Sequence, residues 1–323
     1  MAKKALITVD GAYHKIKKGF VTVDGVYKKI KKAFISIDGV WRPCWSGGEL
    51  VYYGLAPTPL STTRHDCGTA TIGNYGIFAG GNVGDTSHTS TCDVYDKSLT
   101  RYAVSLPAVQ YDMTSATIGN YAIFAGGHKS NNGVTTMAQA ISDSLTTSTL
   151  TSLTQISGGG VGGTSIDKYA IFAGGNPNFG TFAANVEAFD SSLTKHIAPN
   201  LTDAKDQLGA ASVNGYAIFA GGTNDENAST MTKSADAYDS SLTKRTLTEM
   251  SVTRRQIGST TIGKYAVFAG GMAKTTIRDT VEVYDSSLVL STIDPLTTAR
   301  YRHGVTTLGD YGLFGGGWTS TRL

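Results

Sequence analysis

Cysteine, charged residues and long hydrophobic runs are all scarce in this chain of 323 residues. Its three cysteines, Cys44, Cys67 and Cys92, form no Cys-x-x-Cys motif and no disulfide framework, which favours synthesis in a reducing compartment. The start of the chain, Met1 to Lys18, has lysines but no apolar run of signal-peptide length, and no stretch approaches the length that crosses a bilayer. We therefore expect neither an ordinary export signal nor membrane insertion.

Sequence signatures of catalysis are also missing. The chain has no Gly-x-Ser-x-Gly elbow and no His-Glu-x-x-His motif, and its glycine-rich run at 157–163 lacks the Lys-Ser/Thr of a phosphate loop. We interpret that run as part of an inner strand. His65, Cys67, His88 and Cys92 do not have the spacing of zinc ligands. The sequence therefore predicts a protein that is not an enzyme and that uses no metal and no cofactor.

What the chain does contain is one segment repeated six times. The segment is Tyr-Ala-Ile-Phe-Ala-Gly-Gly or a close variant, and successive copies lie 46 to 49 residues apart. Periods of this length are typical of solenoids, propellers and arrays. The apolar run predicts a strand covered on both faces, and the Gly-Gly indicates a close approach of neighbouring backbone. The copies begin at Tyr75, Tyr121, Tyr169, Tyr216, Tyr265 and Tyr311.

The repeat unit is predicted to form four short strands joined by turns. In the fifth copy these strands are 255–262, 265–269, 280–284 and 288–293. Four-stranded units at this period are typical of propeller blades, so we predict an all-β fold, a six-bladed β-propeller. A repeated aspartate begins the turn after the third strand, where an Asx hydrogen bond to the backbone two residues on explains it. These aspartates are Asp96, Asp143, Asp190, Asp239 and Asp285.

This unit resembles the kelch repeat, in which an inner hairpin ends in Gly-Gly and a later turn contains an aromatic-Asp pair such as Tyr284-Asp285. The resemblance covers residues from about 49 to the end and implies a kelch-like β-propeller, which we assign to residues 46–323. The chain departs from the pattern by lacking a regular fourth-strand tryptophan and by having Ala140–Asp143 where the aromatic is expected. Since the sixth copy ends before its outer strands, we expect N-terminal strands at 41–45 and 49–54 to complete the last blade.

Residues 1–45 form a separate basic segment with a 14-residue repeat. Each of three copies places Asp-Gly between runs of strand formers, which predicts three β-hairpins. Nine lysines and one arginine face three aspartates, a local charge of +7, whereas the remaining chain carries −4. The lysine pairs either contact an anionic partner or discourage edge pairing of strands, and no aromatic platform is interleaved for nucleic acid. They are Lys3, Lys4, Lys17, Lys18, Lys31 and Lys32.

The basic segment, which ends in Trp41-Arg42-Pro43, resembles the N-terminal segment of many phage and prophage tail proteins. The resemblance covers about 45 residues and implies an attachment arm, since varied C-terminal modules follow it in those proteins. On this basis we expect the lysine pairs to dock on other virion proteins. We also expect a homo-oligomer located in the virion, and not a nucleic-acid-binding protein.

The two faces of the predicted propeller differ from each other. The hairpin turns and the turns after the third strands are nearly uniform among the copies, whereas the loops of the opposite face differ in every copy. Individual loops on a rigid scaffold form binding surfaces, although unconstrained loops also drift. The candidate ligand-binding residues of the loop face are Arg64, His65, Tyr111, His128, Lys129, Asn176, Asn178, Phe179, Phe182, Asn224, Arg254, Arg255, Arg302, His303 and Trp318.

These features together predict a phage or prophage tail appendage that binds host-surface glycan, or a host-surface protein, through its variable loops. Two alternatives stay open. One is a purely structural virion component without receptor binding. The other is a carbohydrate-active enzyme, which would need paired carboxylates across a cleft.

Overall fold

The regular structure of the protein is entirely β in the part of the chain that the computed structural model describes. That part comprises six strands between residues 6 and 45, together with residues 58–319 except 85, 132, 157, 179 and 226–229. It contains no helix, and so no helix long and apolar enough to span a membrane. The chain divides into two compact units, Met1–Pro57 and Thr58–Leu323. Residues 46–57 lie outside the described residues, so the domain boundary drawn from the sequence stays a prediction.

The first unit contains three antiparallel hairpins, which confirms that part of the predicted fold. The residues that flank the Asp-Gly positions of the sequence pair with each other, as in the register Val9↔Ala12 and Val23↔Val26. The third hairpin has a bulge between Ala33 and Phe34. The hairpins are β1 (Leu6–Val9) with β2 (Ala12–Lys15), β3 (Phe20–Val23) with β4 (Val26–Lys29), and β5 (Ala33–Ile37) with β6 (Val40–Trp45). The six lysines assigned to virion docking lie outside the described residues.

The second unit contains five four-stranded antiparallel sheets and a final two-stranded sheet. The first two sheets are β7 (Gly68–Ile72), β8 (Tyr75–Ala79), β11 (Thr91–Asp96) and β12 (Arg101–Ser105), followed by β13 (Thr114–Ile118), β14 (Tyr121–Ala125), β15 (Ala138–Ser142) and β16 (Thr147–Thr149). The third and fourth are β17 (Gly162–Ile166), β18 (Tyr169–Ala173), β19 (Val186–Phe189) and β20 (Lys195–Ala198), followed by β21 (Gly209–Val213), β22 (Tyr216–Ala220), β23 (Ala235–Tyr238) and β24 (Lys244–Thr246). The fifth is β25 (Gly258–Ile262), β26 (Tyr265–Ala269), β29 (Val281–Asp285) and β30 (Leu290–Ile293), and the two-stranded sheet is β31 (Gly304–Leu308) with β32 (Tyr311–Gly315). Two small loop hairpins are β9 (Asn82–Gly84) with β10 (Ser87–His88), and β27 (Met272–Ala273) with β28 (Thr276–Ile277).

The first strands of successive sheets contact one another in chain order, from β7 through β13, β17, β21 and β25 to β31. This is the arrangement of propeller blades, and the predicted all-β propeller fold is confirmed. Five blades have four strands, whereas the last sheet has two among the described residues. The strand predicted at 41–45 pairs as β6 with β5, and 49–54 lies outside the described residues. Completion of a sixth blade therefore stays a prediction.

The hydrophobic core lies between neighbouring blades. The second strand of blade three, Tyr-Ala-Ile-Phe-Ala, is fully buried from Ala170 to Ala173, because a blade packs on each of its faces. One core cluster joins Ile123 of the second blade to Phe172 of the third. Phe172 also meets the third-strand aromatic Phe189 edge-on, with ring centroids 6.3 Å apart. The burial confirms the covered inner strand predicted from the repeated sequence.

The uniform turns of the blades follow the predicted chemistry, with one correction. Asp285 Oδ1 accepts hydrogen bonds from the backbone N–H of Ser287 at 2.8 Å and of Val289 at 3.0 Å, as an Asx turn requires. In the second blade, however, Asp143 does not have this role. Ser142 Oγ accepts from the N–H of Thr146 instead, at 3.1 Å. The assignment of Asp143 was wrong by one residue, because the missing aromatic obscured the register of that strand.

Candidate functional site

Two arginines assigned to ligand binding lie inside the blades. Arg254 donates from Nη2 to Glu282 Oε2 at 2.7 Å, and both side chains are fully buried. Arg64 pairs with Asp93 in the same way in the first blade. Each arginine also donates to backbone carbonyl oxygens, as Arg254 Nη1 does to Gly270 O at 2.9 Å. These interactions fix the loop before the first strand to the sheet, so Arg64 and Arg254 are structural and cannot reach a ligand on the loop face.

Two positions after Arg64 and Arg254, and at the equivalent position of every other repeat, lies a residue of what we call the inner ring. It comprises Asp66, Asp112, Gly160, Gln207, Gln256 and Arg302, all with positive φ. The backbone of the ring links neighbouring blades: Gln207 N–H donates to Gly160 O at 2.8 Å, and Gln256 N–H donates to Gln207 O at 2.9 Å. Side chains of the ring line cavities on the loop face. The ring therefore places one residue of each repeat at a shared opening.

Two adjoining cavities open at the inner ring. The first, of about 350 Å³, we call the Asp206 cavity; the second, of about 440 Å³, we call the Arg302 cavity. They share Asp112, Gly159 and Gln207. The Asp206 cavity is further lined by His128, Val134, Gly158, Asn176, Phe182, Asp206, Thr223 and Asp225. The Arg302 cavity is further lined by Asp66, Gly160, Val161, Leu208, Gln256, Ile257, Arg302 and His303.

The glycine-rich run creates this opening. Gly158, Gly159 and Gly160 align with Arg254, Arg255 and Gln256 of the fifth repeat, and β17 begins only at Gly162. A Cβ atom on Gly159 would lie 1.8 Å from Asp112 Oδ2, so a side chain there would displace the carboxylate. The interpretation of this run as inner strand was therefore wrong for its first residues. These residues form a wall without side chains between the two cavities.

The loss of side chains in the third repeat also changes the backbone. In other blades the residue immediately before the inner-ring residue forms an antiparallel β-bridge with the residue that follows Gly-Gly. Asp206 and Thr223 do so through reciprocal backbone hydrogen bonds of 2.9 and 3.0 Å. The described residues show no such bridge between Gly159 and Asn176; Gly158 bridges Gly127 instead. Asn176 lines the Asp206 cavity, and its amide nitrogen is oriented by a hydrogen bond to Thr181 O at 2.9 Å.

Burial shapes the protonation of the Asp206 cavity. Burial raises the pKa of Asp206 to about 6. Desolvation at the cavity wall, followed by the charge of Asp66, also raises the pKa of Asp112, although about half of its side chain is exposed. Burial also lowers the pKa of His128, whose Nδ1 is 3.7 Å from Asp112 Oδ2. The cavity therefore holds two carboxyl groups with raised pKa values beside an imidazole whose pKa is lowered.

Asp206 is the most deeply placed of these groups. Its exposed fraction is 4 %, and its Oδ1 atom has no hydrogen-bond partner. Its Oδ2 accepts a long hydrogen bond of 3.4 Å from Gln207 Nε2. Arg255, which occupies the equivalent position in the next repeat, donates to Gln207 Oε1 at 2.7 Å. A buried carboxylate oxygen without a donor is uncommon in folded proteins, and it points to a group that arrives from the cavity.

Several predicted ligand contacts serve other purposes in the structure. Tyr111 is 9 % exposed and stacks between His88 and His128, with centroid distances of 4.4 and 5.2 Å. His303 is 8 % exposed and faces Phe314. Their burial makes both a poor choice for the sugar or polar contact predicted for them.

The remaining candidates are spread over the loop face. His128, Asn176 and Phe182 meet in the Asp206 cavity, and Arg302 lies in the neighbouring one, where its Nε donates to the Gln256 side-chain oxygen at 2.7 Å. Lys129 and Asn178 line a separate cavity of about 440 Å³. His65 contacts Asp66 at 2.8 Å, Arg255 contacts Gln207, and Asn224 and Trp318 lie outside the cavities described above. Phe179 lies outside the described residues.

Sequence reasoning missed Asp112, Asp206, Gln207 and Thr223. Their signal was positional: each lies immediately before the first strand or immediately after Gly-Gly in the repeat alignment. No metal site was assigned from the sequence to His65, Cys67, His88 and Cys92. Within residues 58–319 as described, no group of three or more His, Cys, Asp or Glu side chains is arranged to hold a metal ion.

The repeated sheets and the comparison with solved structures define the protein as a β-propeller. A solved structure titled "Structure of YjhT" superposes with a TM-score of 0.60 over 80% of this chain and 92% of that chain, at 12% sequence identity. At that identity the similarity shows the fold alone. No protein-family model and no curated protein matches the sequence.

Proposed function

We propose that this protein is a phage or prophage tail appendage in which the propeller binds host-surface glycan without turning it over. The observation that carries the proposal is the Asp206 cavity. It joins polar groups of the second, third and fourth blades, and Phe182 gives it an aromatic wall. Concave sites with a few convergent polar groups and an apolar wall are typical of small-ligand binding, and aromatic faces pack on sugar rings.

The attachment role rests on the first unit. Its three hairpins are too small to be stable alone and need a partner surface or copies of themselves, which supports docking to other virion proteins and assembly as a homo-oligomer. The similarity of its sequence to tail-protein segments supplies the virion context. A structural component that binds no receptor is the outcome to expect if the loop face has no ligand.

The test compares binding of the full-length labelled chain to whole bacterial cells and to glycans released from them. We expect saturable binding that Phe182→Ala weakens at least tenfold, since that change removes the aromatic wall. Tyr265→Ala is the matched control, because Tyr265 is a half-exposed aromatic at a hairpin turn of the opposite face. Firm binding to virions without binding to any plausible host cell would instead identify a structural component.

A specific observation also favours the enzyme alternative. Asp112 and Asp206 come from different blades and line one cavity, and the pKa of each carboxyl group lies above its usual value. One protonated and one ionised carboxyl group is the arrangement that glycoside hydrolysis uses. Release of new reducing ends from host glycan by the purified chain, abolished by Asp112→Asn, would establish turnover and replace the binding proposal.

A further inference from the structure

The Asp206 cavity has an uneven supply of hydrogen-bonding groups. Three aspartates, Asp112, Asp206 and Asp225, line it, and the described lining residues include neither lysine nor arginine. His128 contributes no positive charge near neutral pH because burial lowers its pKa. The cavity therefore offers acceptors and negative charge to whatever enters it.

The unpartnered oxygen of Asp206 is the feature that most narrowly defines which group can bind in the cavity. The residue is 4 % exposed, its Oδ1 has no hydrogen-bond partner, and among described residues Asp206 forms no salt bridge. The charge of Arg255 acts on Asp206 only from a distance, where it offsets part of the rise in the pKa. The backbone holds the residue firmly through its two hydrogen bonds with Thr223. A carboxylate kept in place with an empty acceptor is satisfied best by a charged donor, because charge-assisted hydrogen bonds are roughly twice as strong as neutral ones.

We infer that the Asp206 cavity binds an amine-bearing sugar, such as a glucosamine unit with a free amino group, through its ammonium. This inference rests on the proposed glycan binding and names the class of glycan. The ammonium supplies three donors and a positive charge, and the sugar ring lies against Phe182. Asn176 lines the same cavity, and a side-chain amide is suited to hydrogen-bond the ring hydroxyls of a bound sugar.

The same features disfavour two related classes of sugar. An N-acetylated sugar has lost the charge and has only one N–H at that position, so it satisfies Asp206 less well. An acidic sugar places a carboxylate against three aspartates, and like charges brought together in a partly buried site repel strongly. The cavity therefore discriminates by charge more than by ring shape.

The experiment compares three oligosaccharides of equal length at pH 7 with the full-length chain in isothermal titration. They are an oligomer of glucosamine, an oligomer of N-acetylglucosamine and an oligomer of a uronic acid. We expect the glucosamine oligomer to bind at least tenfold more tightly than the N-acetylated one, as the loss of a charge-assisted hydrogen bond predicts. The uronic acid oligomer should bind more weakly still.

The variant Asp206→Asn removes the charge and keeps the shape of the side chain. It should lower affinity for the glucosamine oligomer about tenfold or more, and lower affinity for the N-acetylated oligomer less, because that oligomer has no charge to pair with Asp206. Asp310→Asn is the control, since Asp310 is exposed in the turn between β31 and β32. Unchanged thermal unfolding of both variants shows that folding is not the cause.

The outcomes separate this inference from the function on which it rests. Preference for the neutral or acidic oligomer, or a preference for glucosamine that survives Asp206→Asn, overturns the amine assignment and leaves glycan binding intact. Binding to cells without binding to any of the oligomers also overturns it. Absence of binding to oligomers and cells alike removes both the inference and the proposed receptor function.

Discussion

His303 occupies a position that the other repeats fill with Cys67, Met113, Val161, Leu208 or Ile257. The imidazole is 8 % exposed, and neither ring nitrogen has a hydrogen-bond partner. Burial, with the charge of Arg300 as a smaller cause, lowers the pKa of His303 to about 4 from an ordinary value of 6.5. A polar ring at an apolar position therefore makes the last sheet sensitive to acid.

We predict that this residue contributes to acid destabilisation between pH 6.5 and 4. Above pH 6.5 the imidazole is neutral in the folded and the unfolded chain. Between pH 6.5 and about 4 the unfolded chain binds a proton at this residue and the folded chain does not, so the free energy of unfolding falls as the pH is lowered through this range. Urea unfolding from pH 7.5 to 4 should show a smaller loss for His303→Leu than for the wild type. His65→Asn, at an exposed site, is the control. Parallel curves for the wild type and His303→Leu would contradict the prediction.

The buried ion pair of Arg254 and Glu282 gives a second prediction at this scale. Glu282→Leu leaves a guanidinium buried without its partner and should cost about 3–5 kcal/mol of stability. The exposed pair of Lys233 and Glu249, at 3.2 Å, is the matched control, and Glu249→Ala should cost less than about 1 kcal/mol. Adding Arg254→Met to Glu282→Leu should recover part of the loss. Chemical denaturation measures all four proteins; equal losses for the two glutamate changes would refute the argument.

At the level of the element, the Gly-Gly hairpin end is a place where neighbouring backbones meet. Gly127 has a φ of +75°, and a Cβ atom there would lie 2.3 Å from Tyr111 O. Gly263, in a hairpin turn, has a φ of +54°, and a Cβ atom added there would have no atom of a non-neighbouring residue within 4 Å. Gly263→Ala should therefore cost only about 1 kcal/mol from backbone strain, and Gly127→Ala clearly more. Equal melting temperatures for the two variants would show that contact with Tyr111 O is unimportant.

The sequence was sufficient to predict elements that depend on neighbours in the chain. Tyr265 to Ala269 and its turn follow from a repeated apolar run and turn residues, and the structure confirms them. Arg254 was misplaced because its partner Glu282 lies 28 residues away, and their register depends on how a loop lies over a sheet. The Asp206 cavity was missed for a similar reason: Asp112 and Asp206 come together only when three blades are assembled.

At the scale of the whole molecule, the final sheet is incomplete among the described residues. Its strands β31 and β32 leave Leu308 59 % and Tyr311 69 % exposed. Arg300 donates to the backbone oxygens of Thr298 and Gly316, and the described residues give it no carboxylate equivalent to the Glu282 that pairs with Arg254. The expectation, drawn from the sequence, that strands near the N-terminus complete this blade stays a prediction.

Hydrogen exchange tests that expectation. We predict that the amides of β32 that do not bond to β31 exchange slowly in the full-length chain and rapidly after deletion of residues 46–54. The amides of β26, which pairs on both sides with β25 and β29, should be unaffected and serve as the internal control. Rapid exchange in the full-length chain would show that no strand covers this edge.

The inner ring has a consequence for how such a protein changes over time. Its blade-to-blade hydrogen bonds use backbone atoms, so they persist whichever side chain the position carries. Positive φ still limits the choice, because glycine and short polar residues adopt it at lower cost than β-branched ones. The links between blades and the lining of the cavities are thereby encoded by different atoms of the same six residues. A few codon changes at these positions can alter the chemistry of the opening while the scaffold stays intact.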